Sequence, residues 1–146
     1  MTESLHVVCP ACLAKNRVPA GRVRQSPKCG GCHEQLFAGK PVALTQHSFH
    51  QWLRGTDIPI VVDFWAPWCG PCLSMAPAFE QAARELEPDV LLAKLDTQSE
   101  PAIGNELGIR SIPTLVLFKR GREVLRHSGA IGSKEIVRWA RSALAG

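Results

Sequence analysis

Six cysteines fall into three Cys-x-x-Cys pairs, Cys9/Cys12, Cys29/Cys32 and Cys69/Cys72, with none left over. Thiols at this spacing serve two chemistries. A pair at the start of a helix can cycle between dithiol and disulfide, and two pairs on tight loops can hold a metal in a tetrahedron of sulfurs. The flanking residues assign one chemistry to each group. Trp68-Cys69-Gly70-Pro71-Cys72 follows the β-branched and aromatic run Ile60 to Trp65 and precedes a helical pattern. Cys69 then stands where unpaired N–H groups and the helix dipole favour an anion, which lowers a thiol pKa. Pro71 fixes φ where its missing N–H costs nothing. The remaining cysteines read Cys9-x2-Cys12-x16-Cys29-x2-Cys32, the spacing of a zinc ribbon. Gly30-Gly31 lets backbone N–H groups turn toward sulfur.

Other uses of these thiols fit less well. Cys69/Cys72 as half of a metal site would need two more ligands, and the first four cysteines already complete a set. Two extra redox pairs would lack the strand-before, helix-after setting of Cys69. A redox switch, in which oxidation expels the metal, stays open. An extracellular disulfide framework would need export, yet Met1 to Val8 contains Glu3 and no long apolar core. That points to the cytoplasm, where thiols stay reduced.

The elements that must position these groups come in two blocks. Hydrophobic residues make up 45% and charged residues 21%, a globular composition. No apolar run nears the roughly 18 residues of a bilayer span, so no membrane association is expected. Net charge is +4, and residues 1–41 carry all of it, with six basic and two acidic groups. Four thiolates around Zn²⁺ would reduce that block to +2, a weak case for nucleic acid. Residues 1–40 read as a ribbon of turns with few large apolar residues, needing a metal staple. Gly39-Lys40-Pro41 punctuates the join to a second domain, 41–146.

From Val42 strands and helices alternate. A short strand Val42–Leu44 precedes a helix capped by Thr45 and ending near Arg54. A buried strand Ile60–Trp65 leads to a helix over about 71–87, with Pro77 inside it as a kink. Strand Val90–Leu95, a short helix ending at Gly108, and strand Thr114–Phe118 follow. Arg120-Gly121 turns the last strand into an antiparallel hairpin. Ser133 caps a final helix with Ile136, Trp139, Ala140, Ala143 and Leu144 on one face. βαβ units followed by a hairpin imply an α/β fold with a mixed central sheet flanked by helices.

Three stretches carry a resemblance: Val62-Asp63-Phe64-Trp65-Ala66-Pro67-Trp68-Cys69-Gly70-Pro71-Cys72, Ala93-Lys94-Leu95-Asp96, and Gly108-Ile109-Arg110-Ser111-Ile112-Pro113-Thr114. From Val42 onward the chain resembles the thioredoxin family. With the front module it is similar to the zinc-containing bacterial thioredoxin-2 type. The resemblance implies a thioredoxin fold preceded by a zinc ribbon, and a protein-disulfide reductase. Cys69 would attack a client disulfide, Cys72 would resolve the mixed disulfide, and thioredoxin reductase with NADPH would restore the pair. Asp63 would handle the Cys72 proton through water, with Lys94 as its partner. Pro113, for which the residues alone favour a trans bond, would be cis. Trp68, Gly70, Pro71, Ile112, Pro113, Gly129 and Ala130 would form the docking groove for disulfide-bonded clients. Trp65 would pack under the site, and Trp52 and Trp139 in the core. Cys9, Cys12, Cys29 and Cys32 would hold structural Zn²⁺. His6 and His33 lie near ligands, but four thiols leave no vacancy. The default assembly is a monomer.

Two rival functions remain at this level. An oxidant or isomerase is disfavoured by Gly70-Pro71. A binding module, with the ribbon recruiting a nucleic acid or a protein, is motivated only by the charge of the arm.

Overall fold

The computed structural model describes residues 3–144. In chain order the elements are β1 (Ser4–Val8), β2 (Lys15–Pro19), β3 (Val42–Leu44), α1 (Phe49–Gly55), β4 (Ile60–Trp65), α2 (Gly70–Leu86), β5 (Leu91–Asp96), α3 (Pro101–Glu106), β6 (Thr114–Lys119), β7 (Arg122–Ser128) and α4 (Ser133–Ser142). β1 and β2 form an antiparallel ribbon of their own, and the other strands form one sheet in the order β3-β5-β4-β6-β7. β3, β5 and β4 run parallel, β6 runs antiparallel to β4, and β7 runs antiparallel to β6, so the sheet is mixed.

Alternation along β4 explains the layers. Ile60, Val62 and Phe64 face one side with Phe49, Trp52 and Leu53 of α1 and Ile103 of α3. Val61 faces the other, with Met75, Phe79 and Leu86 of α2 and Ile136 and Val137 of α4. Successive side chains of a strand point to opposite faces. β4 therefore carries apolar residues on both sides because helices cover both faces. Asp63 shares the α2-facing side with Val61, and it is the exception in that strand.

Several expected boundaries shift. α1 begins at Phe49, because Thr45 and Ser48 first close a turn in which the Ser48 N–H donates to Thr45 Oγ1 at 3.2 Å. Gly132, not Ser133, caps α4, and Ser133 is its first residue. Val137 is buried on the inner face of α4, whereas Leu144 is 43% exposed and Trp139 only half-buried. The hairpin turn falls at Arg120-Gly121, both at positive φ, 51° and 82°. Two such residues match the right-handed twist of the strands they join. Two X–Pro bonds among the described residues are cis, Glu87–Pro88 and Ile112–Pro113.

The first forty residues are more than turns. β1 is too short to show a clear period, which hides the ribbon in the sequence. β1 docks on α1 and the segment after it. The Trp52 indole donates to the Val8 carbonyl at 2.9 Å, and the Val8 N–H donates to Thr56 Oγ1 at 3.1 Å. The Asp57 N–H donates to the His6 carbonyl, and Asp57 Oδ2 accepts from the His6 N–H at 2.7 Å. Arg24 grips Asp89 with two contacts of 2.7 Å. Val7, Val8, Cys9, Val18, Cys29 and Leu36 belong to the same apolar cluster as Phe49, Trp52 and Phe64. Gly55 closes α1 so near this ribbon that a Cβ there would lie 2.5 Å from Val8 Cγ2.

Candidate redox site and metal centre

β4 ends at Trp65, and the chain turns through Ala66-Pro67-Trp68 into α2. Cys69 is the N-cap of α2 with extended backbone (φ −87°, ψ 110°), and Pro71 occupies its first turn. The Cys72 N–H donates to Cys69 Sγ at 3.2 Å. An N-cap side chain normally supplies an oxygen to such an orphan donor; here sulfur does so. Cys69 and Cys72 are joined as a disulfide with their Cα atoms 5.3 Å apart. Both are nearly buried, at 4% and 2%, and they pack with Ala66, Trp65 and Ile112. Trp68 beside them is 71% exposed. Cys69 Sγ lies 3.8 Å from the Ile112 carbonyl oxygen, just before cis-Pro113.

Behind this pair Asp63 is wholly buried, and neither carboxylate oxygen finds a hydrogen-bond partner among the described residues. Desolvation pushes its pKa up to about 7, against the pull of the Lys94 charge. Lys94 stands in register with Asp63 on β5. It is not an ion-pair partner, however. Its ammonium sits 4.5 Å from the centre of the Trp65 ring, a cation–π placement. Lys94 therefore acts on Asp63 through its field and not through a bond.

The proposed docking residues divide into two groups. Trp68 and Ile112 line a cleft of about 220 Å³ together with Thr97, Gly104, Asn105, Arg110 and Ser111. Gly70 and Pro71 are exposed at the start of α2. Gly129 (φ 107°) donates its N–H to the Pro113 carbonyl at 2.9 Å, with exposed Ala130 next to it. Thr97, whose hydroxyl donates to the Trp65 carbonyl at 3.0 Å, is a cleft residue that sequence reasoning missed. Nothing in its type or neighbours marks it.

The other four cysteines converge. Their Sγ atoms all lie within 4.8 Å of one another, with Cys9–Cys32 and Cys12–Cys29 at 3.6 Å. Sulfurs about 2.3 Å from a tetrahedral zinc ion stand about 3.8 Å apart, so the set fits that ion. The two knuckles repeat one design. The Leu13 and His33 N–H groups return to the Cys9 and Cys29 carbonyls, each at 2.9 Å. The Ala11 and Gly31 N–H groups each reach the first sulfur of their pair at 3.3 Å. The positive φ that closes each knuckle falls on Leu13 (64°) and His33 (67°), not on Gly30 or Gly31. His33 is thus a turn residue, and His6 is engaged with Asp57. Asn16 was also missed. Its amide donates to Cys29 Sγ at 3.5 Å while its oxygen accepts from the Gly30 N–H at 2.9 Å. The Cys32 N–H, the Asn16 amide and the Gly31 N–H bring the Cys29 thiol down to about 6, whereas burial and neighbouring sulfurs hold Cys12 and Cys32 up against the pull of the Ala14 and Glu34 N–H groups, so the cluster favours a thiolate at Cys29 over one at Cys12 or Cys32.

A family model described as Thioredoxin matches residues 40–142. The chain belongs to the thioredoxin family. A second model, described as the N-terminal zinc ribbon of thioredoxin 2, matches residues 8–34. Thioredoxin C-3 of Corynebacterium nephridii is 43% identical over 133 residues, 91% of each chain. The bifunctional thioredoxin reductase/thioredoxin of Mycobacterium leprae is 40% identical over 101 residues, 69% of this chain and 22% of that one. Among solved structures, chloroplastic thioredoxin z aligns with a TM-score of 0.68 at 31% identity, covering 73% of this chain and 96% of its own. The protein has the thioredoxin fold preceded by a ribbon, and it is a dithiol–disulfide oxidoreductase. No helix among the described residues is long and apolar enough to cross a membrane.

Proposed function

We propose that this thioredoxin is a general protein-disulfide reductase in which Cys69 is the nucleophile and Cys72 the resolving thiol. The observation that carries this assignment is the Cys72 N–H donated to Cys69 Sγ at the N-terminus of α2. That donor and the helix dipole stabilise sulfur as thiolate. In the reduced protein, Cys69 thiolate attacks one sulfur of a client disulfide and expels the other as a thiolate. The product is a mixed disulfide. Cys72, once deprotonated, attacks Cys69 Sγ and expels the first client sulfur. Two electrons pass to the client, and the Cys69–Cys72 disulfide remains. Thioredoxin reductase, drawing on NADPH, returns them.

Asp63 is the group suited to take the Cys72 proton through water, since a carboxyl titrating near 7 can both hold and release it. Lys94 keeps that value from rising further. Trp68, Gly70, Pro71, Ile112, Pro113, Gly129 and Ala130 form the client-binding rim. Cys9, Cys12, Cys29 and Cys32 hold a structural Zn²⁺ in a module over residues 1–40, ahead of the thioredoxin domain over 41–146. A bound zinc ion would supply the cross-link that two short knuckles need.

The deciding assay follows NADPH oxidation with thioredoxin reductase and a disulfide-bonded protein. Wild type turns over, Cys69→Ser gives none, and Cys72→Ser accumulates the client as a mixed disulfide. Turnover by Cys69→Ser would overturn the assignment of the nucleophile.

A further inference from the structure

The arm has a feature that neither metal binding nor redox chemistry uses. A groove of about 310 Å³ opens beside β2, lined by Arg17, Val18 and Pro19 on one side, and by Arg22, Lys28 and Leu36 among the others. Ladder geometry decides which backbone groups face it. The Cys9 N–H pairs with the Ala14 carbonyl and the Ala20 N–H with the Glu3 carbonyl. Hydrogen-bonded positions alternate along an antiparallel pair. In the register Val8↔Lys15, Val7↔Asn16, His6↔Arg17, Leu5↔Val18, it is Asn16 and Val18 that bond to β1. Lys15 and Arg17 therefore turn their N–H and C=O groups away from β1, toward the free edge.

The charge on this groove has one sign. Arg17, Arg22 and Lys28 are exposed, and none takes part in an ion pair among the described residues. Arg24, by contrast, is engaged by Asp89. Among the described residues no carboxylate lines the groove. Exposed edges are usually blunted with charge to prevent pairing with other chains. A cationic edge repels basic strands and admits acidic ones.

We propose that the groove along β2 docks an extended acidic segment of a partner protein, which adds to the free edge of β2 while its carboxylates meet Arg17, Arg22 and Lys28. A peptide fits better than a nucleic acid. The lining holds no aromatic side chain on which a base could stack, whereas an edge with unpaired backbone groups is what strand addition uses. The site is also remote from the disulfide. β1 docks at the C-terminal end of α1 and at Asp57, next to the start of β4, while Cys69 follows the end of β4. A partner held at the arm leaves the redox rim open.

The experiment titrates a fluorescent Glu-Val-Glu-Val-Glu peptide into the full, zinc-loaded chain by anisotropy at low salt. Parallel titrations use the Lys-Val-Lys-Val-Lys analogue, the acidic peptide N-methylated at alternate residues, and a single-stranded oligonucleotide. Only the acidic unmethylated peptide is expected to bind. The combined variant Arg17→Glu, Arg22→Glu, Lys28→Glu should weaken it by about tenfold or more, as three exposed ion pairs would. Zinc content and circular dichroism of the variant check that it is folded. Equal binding of the methylated peptide, an unchanged affinity in the folded variant, no binding at all, or stronger binding of the oligonucleotide would each overturn the proposal. Normal turnover of insulin in the same preparations separates its failure from a failure of the redox assignment.

Discussion

Asp63 shows how far one side chain can depart from its ordinary behaviour. In the unfolded chain its carboxyl ionises near 3.8, whereas in the fold burial holds it neutral to about 7. Between those values the folded protein binds the proton and the unfolded chain does not, so stability falls as pH rises through that window and levels above 7. The full cost is about 4 kcal/mol as an upper estimate. Asp63→Asn should therefore be more stable than wild type at pH 8, by about 2–4 kcal/mol, and equal to it near pH 3. Urea unfolding of the oxidised protein at both values checks this. A variant no more stable at pH 8 would show that the carboxylate is solvated. The same variant should slow resolution by Cys72 and remove its titration near pH 7. Asp63 was legible in the sequence because a carboxylate stood inside an apolar run. Lys94 was legible as a neighbour but not as a cation over Trp65, since a register pair does not say where a long side chain ends.

At the scale of elements, β4, β5 and β6 follow directly from composition, because short, mostly apolar runs bounded by turns leave little choice, and α2 follows from the helical spacing of its apolar residues. The ribbon of β1 and β2 does not. Its strands are short, and their burial comes from contact with α1 and from cysteines acting as apolar residues. The site suffers in the same way. Cys-x-x-Cys spacing points to the four thiols that converge, but Asn16, which ties one knuckle to the other, carries no signal of its own. Asn16→Ala removes the amide at Cys29 Sγ and the acceptor for the Gly30 N–H together. Losing such an outer contact typically weakens metal binding by about 10–100-fold. Competition with a chromophoric chelator measures the loss. Unchanged affinity would mean that the knuckles are organised by the backbone alone.

Across the whole molecule the two blocks of sequence share one core. The charge step and the Gly39-Lys40-Pro41 join suggest independent modules, yet Val7, Val8 and Cys9 pack with Phe49 and Trp52. Such contacts between distant segments are invisible to any local pattern. Zinc removal should consequently destabilise more than the arm. We expect the chelated protein to unfold in one transition at lower urea than the metal-loaded form, with tryptophan fluorescence and the far-ultraviolet signal moving together. Two separate transitions would instead mark the arm as autonomous. Gly55 carries this coupling in its missing side chain. A larger residue at that place would force Val8 to move, so an arm joined by gene fusion to a domain without this glycine would seat less closely on α1. The glycine makes the domain a fitted receptor for its own arm.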